Sequence, residues 1–346
     1  MKKLIFLSTL FVLVSIAPAQ VSFSLTEGEA AVVYALPKTE LCINVETEKV
    51  TQKPGMFYRY SERYLATNKV ITSEKTTYSL KSIKVKTHAV ADPKRTYKFE
   101  PTKNSLKTRL SVNADGLLCG VNVHCSAKMK MQEVNVSPSA ENPTTPTLLP
   151  LGEEYMMAGS EAKLAEGTAK QIYRIRESRL GLLTADVEKL PADGASFTAM
   201  LEGLNKMERE LTELFIGKTT TEIQTKTIYL TPDSELANQV VFRLSALRGI
   251  VTSDDLSGAP YYINVKPLIV PMDATNSKDK KGNSVLYTIL PASTQITIGD
   301  GFNNYFSDQF FIPQFGRVLP LSEDLFKQQN LKIRIDQQTG RLLEIE

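Results

Sequence analysis

The most constraining feature of the chain is helical periodicity between Glu161 and Lys218. Apolar residues recur at spacings of three and four along two runs, Leu164 to Val187 and Phe197 to Phe215. Residues at this spacing share one helix face. The intervening Pro191-Ala192-Asp193-Gly194 is typical of a turn, because proline presets φ and glycine permits positive φ. The sequence therefore predicts a helical hairpin over residues 161–218.

Three charged residues interrupt the apolar stripes of this hairpin. Arg176 and Arg179 lie within the first stripe, and Glu208 lies in the middle of the second. An antiparallel hairpin brings residue 176 level with about residue 208, and a buried charge is costly unless it is paired. We predict a structural ion pair of Arg176 and Arg179 with Glu208, whose loss would cost roughly 3–5 kcal/mol if fully buried. The alternative is a buried anion or substrate site with Arg179 as a spare donor.

Several short runs resemble one family. They are Gln171–Leu180 (QIYRIRESRL), Pro191–Gly194 (PADG), Leu214–Gly217 (LFIG), Tyr34–Thr39 (YALPKT) and Pro313–Gly316 (PQFG). Together they are similar to an uncharacterised family of exported bacterial proteins, the domain of unknown function 4831 family. The resemblance covers nearly the whole mature chain. It implies export and a chain of about this length, and it brings no activity, cofactor or catalytic residue.

Residues 1–19 have the pattern of a secretory signal peptide. Lys2 and Lys3 precede an apolar run from Leu4 to Ile16, and Ala17-Pro18-Ala19 forms a cleavage signal. Cleavage after Ala19 would leave Gln20 as the first mature residue. No other apolar run approaches the roughly 20 residues of a membrane-spanning helix. The predicted location is the periplasm or the cell surface, with no transmembrane segment after cleavage.

Alternating apolar and polar residues predict antiparallel strands on both sides of the hairpin. We place an N-terminal mainly β domain at residues 20–135 and a Pro-rich linker at residues 136–160. A C-terminal β-sandwich or partial barrel follows the hairpin at residues 219–346. The predicted fold class is α+β, with mainly antiparallel β domains on either side of a central two-helix hairpin.

The chain has three cysteines, Cys42, Cys119 and Cys125. An oxidising compartment permits one disulfide and leaves one thiol. In a straight strand the Cα atoms of Cys119 and Cys125 would lie about 20 Å apart, beyond the limit for a bridge. Bridging them requires a turn at Asn122–His124, and Cys42 is the alternative partner. The sequence favours free, mostly buried cysteines.

Motifs for familiar chemistry are absent from the sequence. Only His88 and His124 are available as histidines, and no HExxH, GxSxG or Gly-rich phosphate loop occurs. We therefore predict no catalytic residues, no metal site and no cofactor. The formal net charge of +3 is too small to indicate nucleic-acid binding.

A run of aromatic residues near the C-terminus is the best candidate for a contact surface. Its flanking Gly, Asn and Pro residues favour an exposed partner surface, whereas the simpler interpretation is core and edge packing. Carbohydrate is disfavoured because sugar platforms rely on tryptophan and the chain has none. The residues of this candidate binding site are Phe302, Tyr305, Phe306, Phe310, Phe311 and Phe315.

These observations favour an exported envelope protein that acts by non-enzymatic binding or assembly. Its expected partners are envelope proteins or polymers. The competing hypothesis is a hydrolase-like enzyme with a carboxylate-based site in an interdomain cleft. A deep polar pocket holding two carboxylates with raised pKa values would favour the enzyme, and a flat aromatic patch would favour the binding protein.

Overall fold

A computed structural model describes residues 21–24, 31–100, 108–125, 153, 159–184, 194–269, 285–321, 325–326, 328 and 330–346. The predicted signal peptide lies outside these residues, as do most of the predicted linker and residues 191–193 of the hairpin turn.

Antiparallel strands make up most of the described chain, which confirms the predicted α+β class. The helices are α1 (Ser61–Leu65), preceded by a 3-10 turn at Tyr58–Tyr60, α2 (Glu161–Thr184) and α3 (Gly194–Ile216). The strands are β1 (Val21–Ser24), β2 (Val32–Lys53), β3 (Lys75–Phe99), β4 (Arg109–Val112), β5 (Leu118–Val121), β6 (Lys218–Leu230), β7 (Leu236–Ser245), β8 (Gly249–Val251), β9 (Ala259–Ile269), β10 (Tyr287–Gly299), β11 (Asn304–Pro320), β12 (Ile333–Ile335) and β13 (Leu342–Ile345).

A long three-stranded ribbon, ordered β3-β2-β6, runs through the molecule. Strand β2 has 22 residues, which corresponds to about 70 Å of extended chain. Leu41, Ile43 and Val45 alternate along β2 and are fully buried on its inner face. The ribbon combines β2 and β3, from the predicted N-terminal domain, with β6 from the C-terminal part of the chain.

A five-stranded sheet, ordered β11-β10-β9-β7-β8, packs its inner face against this ribbon. Ile263, Ile296 and Ile298 are buried in the shared core with the apolar side chains of β2. Inner and outer residues alternate along each strand, so the opposite face of the sheet carries the intervening residues.

A second five-stranded sheet is ordered β1-β4-β5-β12-β13. It joins strands from both ends of the chain, because Ile333 of β12 pairs with Val121 of β5. Its core includes the buried rings of Tyr34 and Phe99. Burial raises the pKa of the Tyr34 hydroxyl, whose oxygen accepts the Tyr287 backbone N–H at 2.8 Å. Strands of the two predicted β domains thus share this sheet as well as the ribbon.

The helical hairpin packs at the far end of the ribbon, beside the segment that joins β2 to β3. Ile172 of α2 and Phe215 of α3 form a small core with Phe57 from that segment, and the Phe57 and Phe215 ring centroids are 5.4 Å apart. Gly217 links α3 to β6 at φ +90°, where an added Cβ would lie 2.6 Å from the Lys53 carbonyl oxygen. Within the described residues, no helix is long and apolar enough to cross a membrane.

The cysteines differ from the expectation of free thiols. Cys119 and Cys125 form a disulfide with Cα atoms 5.4 Å apart, and Cys42 is a buried free thiol. The straight-strand assumption fails because the chain turns after β5, where Asn122 adopts φ +52°. The Asn122 side chain fixes this turn by accepting the Arg109 N–H and donating to the Leu331 carbonyl, both at 2.8 Å.

Candidate functional site

The β10–β11 hairpin carries the aromatic run, and Asp300 organises its turn. Asp300 Oδ1 accepts the backbone N–H groups of Phe302 at 2.9 Å and Asn303 at 2.7 Å. Gly301 adopts φ +93°, which glycine tolerates readily. An aspartate that caps the N–H groups two and three residues later is a common way to fix a turn. The backbone around Phe302 is therefore held in one conformation.

The tip of this hairpin presents aromatic rings to solvent. Phe302 is 97% exposed and Tyr305 is half-exposed. The Tyr305 hydroxyl donates to Asp300 Oδ2 at 2.9 Å, so the ring is tied to the same carboxylate that fixes the turn.

Hydrogen bonding and burial shift three pKa values at this tip. The N–H groups of Asn303 and Phe302 hold the pKa of Asp300 below its ordinary value. The hydrogen bond to Asp300 raises the pKa of Tyr305. Burial raises the pKa of Tyr261 to about 12, with a smaller contribution from Tyr305. Asp300 therefore carries a stabilised negative charge beside two protonated hydroxyls near neutral pH.

The other four aromatic residues do not join this tip. Phe306, Phe310 and Phe315 are half-buried and pack against the core between sheet and ribbon. Phe311 is half-exposed along the strand, with the Arg341 guanidinium 6.0 Å from its ring centroid. The structure therefore divides the candidate binding residues, with Phe302 and Tyr305 at the tip, Phe311 on the outer face and three rings turned inward.

Two further loops at the same end of the sheet expose apolar side chains. Leu247, between β7 and β8, is 71% exposed, and Leu256, between β8 and β9, is 80% exposed. These loops and the turn at Phe302 all lie where β9 begins. Leu244, just before the β7–β8 loop, pairs with Ala259 at the start of β9. Gly299, just before the β10–β11 turn, pairs with Tyr262, three residues further along β9. Sequence analysis missed both leucines, since a single apolar residue within a polar loop carries no periodic signal.

The charged residues of the helical hairpin meet across its helices. Arg176 Nε donates to Glu208 Oε1 at 2.6 Å, and Arg179 Nη1 bonds Glu208 Oε2. Arg179 also donates to Asn205 Oδ1 at 3.0 Å. Both carboxylate oxygens of Glu208 thus accept hydrogen bonds. Arg179, the spare donor that an anion site would require, is directed at Glu208 and Asn205. The two arginine side chains remain partly exposed, which differs from the predicted interior position.

An open hollow of about 570 Å³ lies along the polar face of α3. Both acidic and basic residues line it, with Glu210 paired to Lys206 at 4.0 Å. Within the described part of the chain, no group of three or more His, Cys, Asp or Glu residues is placed to hold a metal ion. The residues that line the hollow are Glu202, Asn205, Lys206, Arg209, Glu210, Glu213 and Lys218.

Comparison with known families gives a match over almost the entire chain. The family described as Domain of unknown function (DUF4831) matches residues 30–343. The chain belongs to the DUF4831 family. No curated protein and no solved structure matches it. The family match over residues 30–343 confirms the resemblance inferred from the short sequence runs.

Two of those runs meet in this DUF4831 protein although they lie 275 residues apart. Gln314 Oε1 accepts the Thr39 N–H, and Gln314 Nε2 donates to the Thr39 carbonyl, both at 2.8 Å. Arg95 donates to the Pro313 and Gln314 carbonyls at 2.9 and 3.1 Å. These side chains satisfy backbone groups that would otherwise lack partners. The YALPKT and PQFG runs therefore form a structural junction.

Proposed function

We propose that this protein is exported to the cell envelope and acts there by binding or assembly rather than by catalysis. The observation that carries the proposal is the loop end of the five-stranded sheet, defined by Leu247, Leu256 and Phe302. These three large apolar side chains are exposed at one end of the sheet, and exposed apolar surface of this kind favours an interaction site. Their expected partners are envelope proteins or polymers.

Hydrogen bonds fix each of the three loops before any partner binds. Arg243 donates to the Ser253 and Gly258 carbonyls at 2.8 and 3.1 Å. Asp255 accepts from Arg248 Nη1 at 2.8 Å, and Asp300 holds the third turn. A preorganised surface loses little conformational entropy on binding, so more of its contact energy appears as affinity.

Two features support export. Residues 1–19 carry the basic, apolar and A-x-A series of a cleavable signal peptide. The Cys119–Cys125 disulfide is a bond that persists in oxidising compartments and is rare in the cytosol. Intact-mass measurement on protein from the periplasmic fraction is expected to give a chain that begins at Gln20. Recovery of the full-length chain from the cytoplasm would refute export.

The charge state of the acidic residues favours binding over the hydrolase-like alternative. In the described part of the chain, four carboxyl groups have shifted pKa values, and all four shifts are downward. Local hydrogen bonds are the largest cause in each case. A general acid requires the opposite shift. The four groups are Glu46, Glu166, Asp255 and Asp300.

Co-purification from envelope extracts tests the binding proposal. The bait is the mature protein, compared with a Leu247→Ser, Leu256→Ser, Phe302→Ser triple variant. Because the three side chains are exposed, the variant should fold normally and lose the partner. Leu268→Ser is a matched control, since Leu268 is exposed near the opposite end of β9. Equal partner recovery by the parent and the triple variant would exclude this surface.

A further inference from the structure

The outer face of β9, β10 and β11 carries mainly polar, uncharged side chains. Its residues alternate with the buried Ile296 and Ile298 and therefore point away from the core. Lys266 is the charged residue within these rows, and the Arg341 guanidinium lies 6.0 Å from the Phe311 ring centroid at one end. The cross-strand rows are Ile269–Ser293–Phe311, Lys266–Gln295–Gln309, Asn264–Thr297–Ser307 and Tyr262–Gly299–Asn304.

Hydrogen bonds between neighbouring strands orient the amides of this face. Gln295 Nε2 donates to Ser307 Oγ at 3.0 Å, and Asn264 Nδ2 donates to Thr297 Oγ1 at 3.5 Å. Asn264 Oδ1 also accepts the Asn238 N–H at 2.7 Å. Each amide has two N–H donors and an oxygen with two lone pairs, so donor and acceptor capacity remains toward solvent. Oriented groups that both donate and accept match the hydroxyl groups of a ligand.

An aromatic ring bounds this polar block at each end. Phe311 lies beside Ser293, and Tyr262 lies beside Gly299. Six residues of β10 separate these two rows, which corresponds to about 20 Å. Gly299 lies between Tyr262 and Asn304 in the last row, and a Cβ added there would lie 2.3 Å from the Asn303 carbonyl oxygen, so the backbone of the turn packs closely against this position. The rings offer apolar faces at a separation that suits an extended chain ligand.

The charge of this face narrows the ligand class. A nucleic-acid strand requires several cations along its track, whereas the rows of this face carry Lys266, with Arg341 beside Phe311 at one end. A protein partner typically buries an apolar centre with aromatic anchors, whereas the centre here consists of amides and hydroxyls. A neutral polysaccharide has hydroxyl groups for the amides and C–H faces for the rings. The absence of tryptophan disfavours a carbohydrate ligand, but Phe311 and Tyr262 provide aromatic rings on which a sugar can stack.

We infer that the outer face of β9–β11 binds a neutral polysaccharide strand laid along it. Gln295 and Gln309 hydrogen-bond its hydroxyl groups, and Phe311 stacks on a sugar ring. The inference rests on the proposed binding function and names the ligand class for a surface that adjoins the loop end at the Tyr262–Gly299–Asn304 row. It makes this face, rather than the Phe302 tip, the polymer-binding site.

Affinity gel electrophoresis of the mature protein tests this inference. The gels contain dextran, mannan, glycogen or hydroxyethyl cellulose as neutral polymers, and polygalacturonate as an anionic comparison. We expect retardation by at least one neutral polymer that does not weaken in about 0.5 M salt, since no ion pairs are involved. Gln295→Ala, Gln309→Ala and Phe311→Ala should each weaken retardation about tenfold, the effect of losing one good polar or aromatic contact.

Two control variants separate this inference from the proposed function. Gln224→Ala removes an exposed glutamine from β6, and Phe302→Ala removes the ring at the loop end. Both should leave retardation unchanged. The inference is overturned if no neutral polymer retards the parent, or if Phe302→Ala abolishes retardation while Gln309→Ala does not. Loss of a protein partner in the Leu247, Leu256 and Phe302 variant, by contrast, bears only on the loop end.

Discussion

Replacing Glu208 tests how the helical hairpin is stabilised. Glu208 is the shared acceptor of Arg176 and Arg179, so Glu208→Ala removes both ion pairs at once. It leaves the two guanidinium groups, both on α2, without their shared acceptor on α3. The effect on stability depends on how well water can solvate those groups once the carboxylate is gone.

The exposures set the size of this effect. The Glu208 side chain is 14% exposed, whereas those of Arg176 and Arg179 are 41% and 33% exposed. A fully buried pair would cost roughly 3–5 kcal/mol when broken, and an exposed pair costs about 0–1 kcal/mol. Because both arginine side chains are partly exposed, we expect Glu208→Ala to lower the free energy of unfolding by about 1–2 kcal/mol.

The assay is denaturant unfolding followed by helical ellipticity. Glu210→Ala is the matched control, because Glu210 lies on the same helix and its pair with Lys206 is long and exposed. We expect about 0–0.5 kcal/mol for this control. A triple variant, Glu208→Leu with Arg176→Met and Arg179→Met, should recover the parent stability, since apolar side chains can replace a partly buried ion pair without loss.

Two results would refute this reasoning. Equal effects of Glu208→Ala and Glu210→Ala would mean that the ion pairs contribute nothing beyond a surface charge. A triple variant less stable than Glu208→Ala would mean that the arginines stabilise the hairpin through other contacts, such as the approach of Arg176 to the Tyr173 ring.

Three further predictions follow from the turns. A Cys119→Ser, Cys125→Ser double variant should have a free energy of unfolding about 2 kcal/mol lower, which is the loop-closure entropy expected for so short a disulfide loop in the unfolded chain. An unchanged denaturant midpoint would contradict this. Gly217→Ala should lower the free energy of unfolding by about 1–3 kcal/mol, because Gly217 has a positive φ and an added Cβ would contact the Lys53 carbonyl. Gly203→Ala, in open space within α3, should raise it by about 0.5–1 kcal/mol. Similar calorimetric shifts for the two variants would refute this distinction. The folded pKa of Asp300 lies below its ordinary value of 3.8, so its contribution is present above that pH and is lost as pH falls through the lowered pKa. Parent and Asp300→Asn stabilities should therefore differ near pH 6 and converge in acid, and a difference that persists in acid would exclude the carboxylate as its source.

Local periodicity was sufficient to predict the helical hairpin. The spacing that places Ile172, Leu211 and Phe215 on inner faces depends only on residues within a few turns, and these three side chains are buried. The same reasoning placed Glu208 level with Arg176. Exposure of the two arginines was not predictable, because it depends on which tertiary elements cover the hairpin.

Strand partners could not be predicted in this way. Period-two alternation identifies the face that Leu41 and Ile43 turn to the core, but it does not identify the neighbouring strand. β2 pairs with β6, so the two runs that pair are separated in sequence by the whole helical hairpin. The disulfide escaped prediction for a related reason, because the turn at Asn122 depends on hydrogen bonds to Arg109 and to the distant Leu331.

The junction of the YALPKT and PQFG runs indicates where function should be sought. Gln314 and Arg95 bond carbonyl and N–H groups of the backbone, and the Gln314 side chain also reaches the Pro232 carbonyl at 3.2 Å. Loss of such a side chain leaves partly buried backbone groups without partners, which destabilises the fold. Side chains that recognise a ligand must instead retain donors, acceptors or apolar surface directed at solvent. Gln309 and Phe302 meet that condition. The YALPKT and PQFG runs therefore stabilise the fold, whereas the exposed loops and the outer sheet face are the surfaces on which we expect a partner to bind.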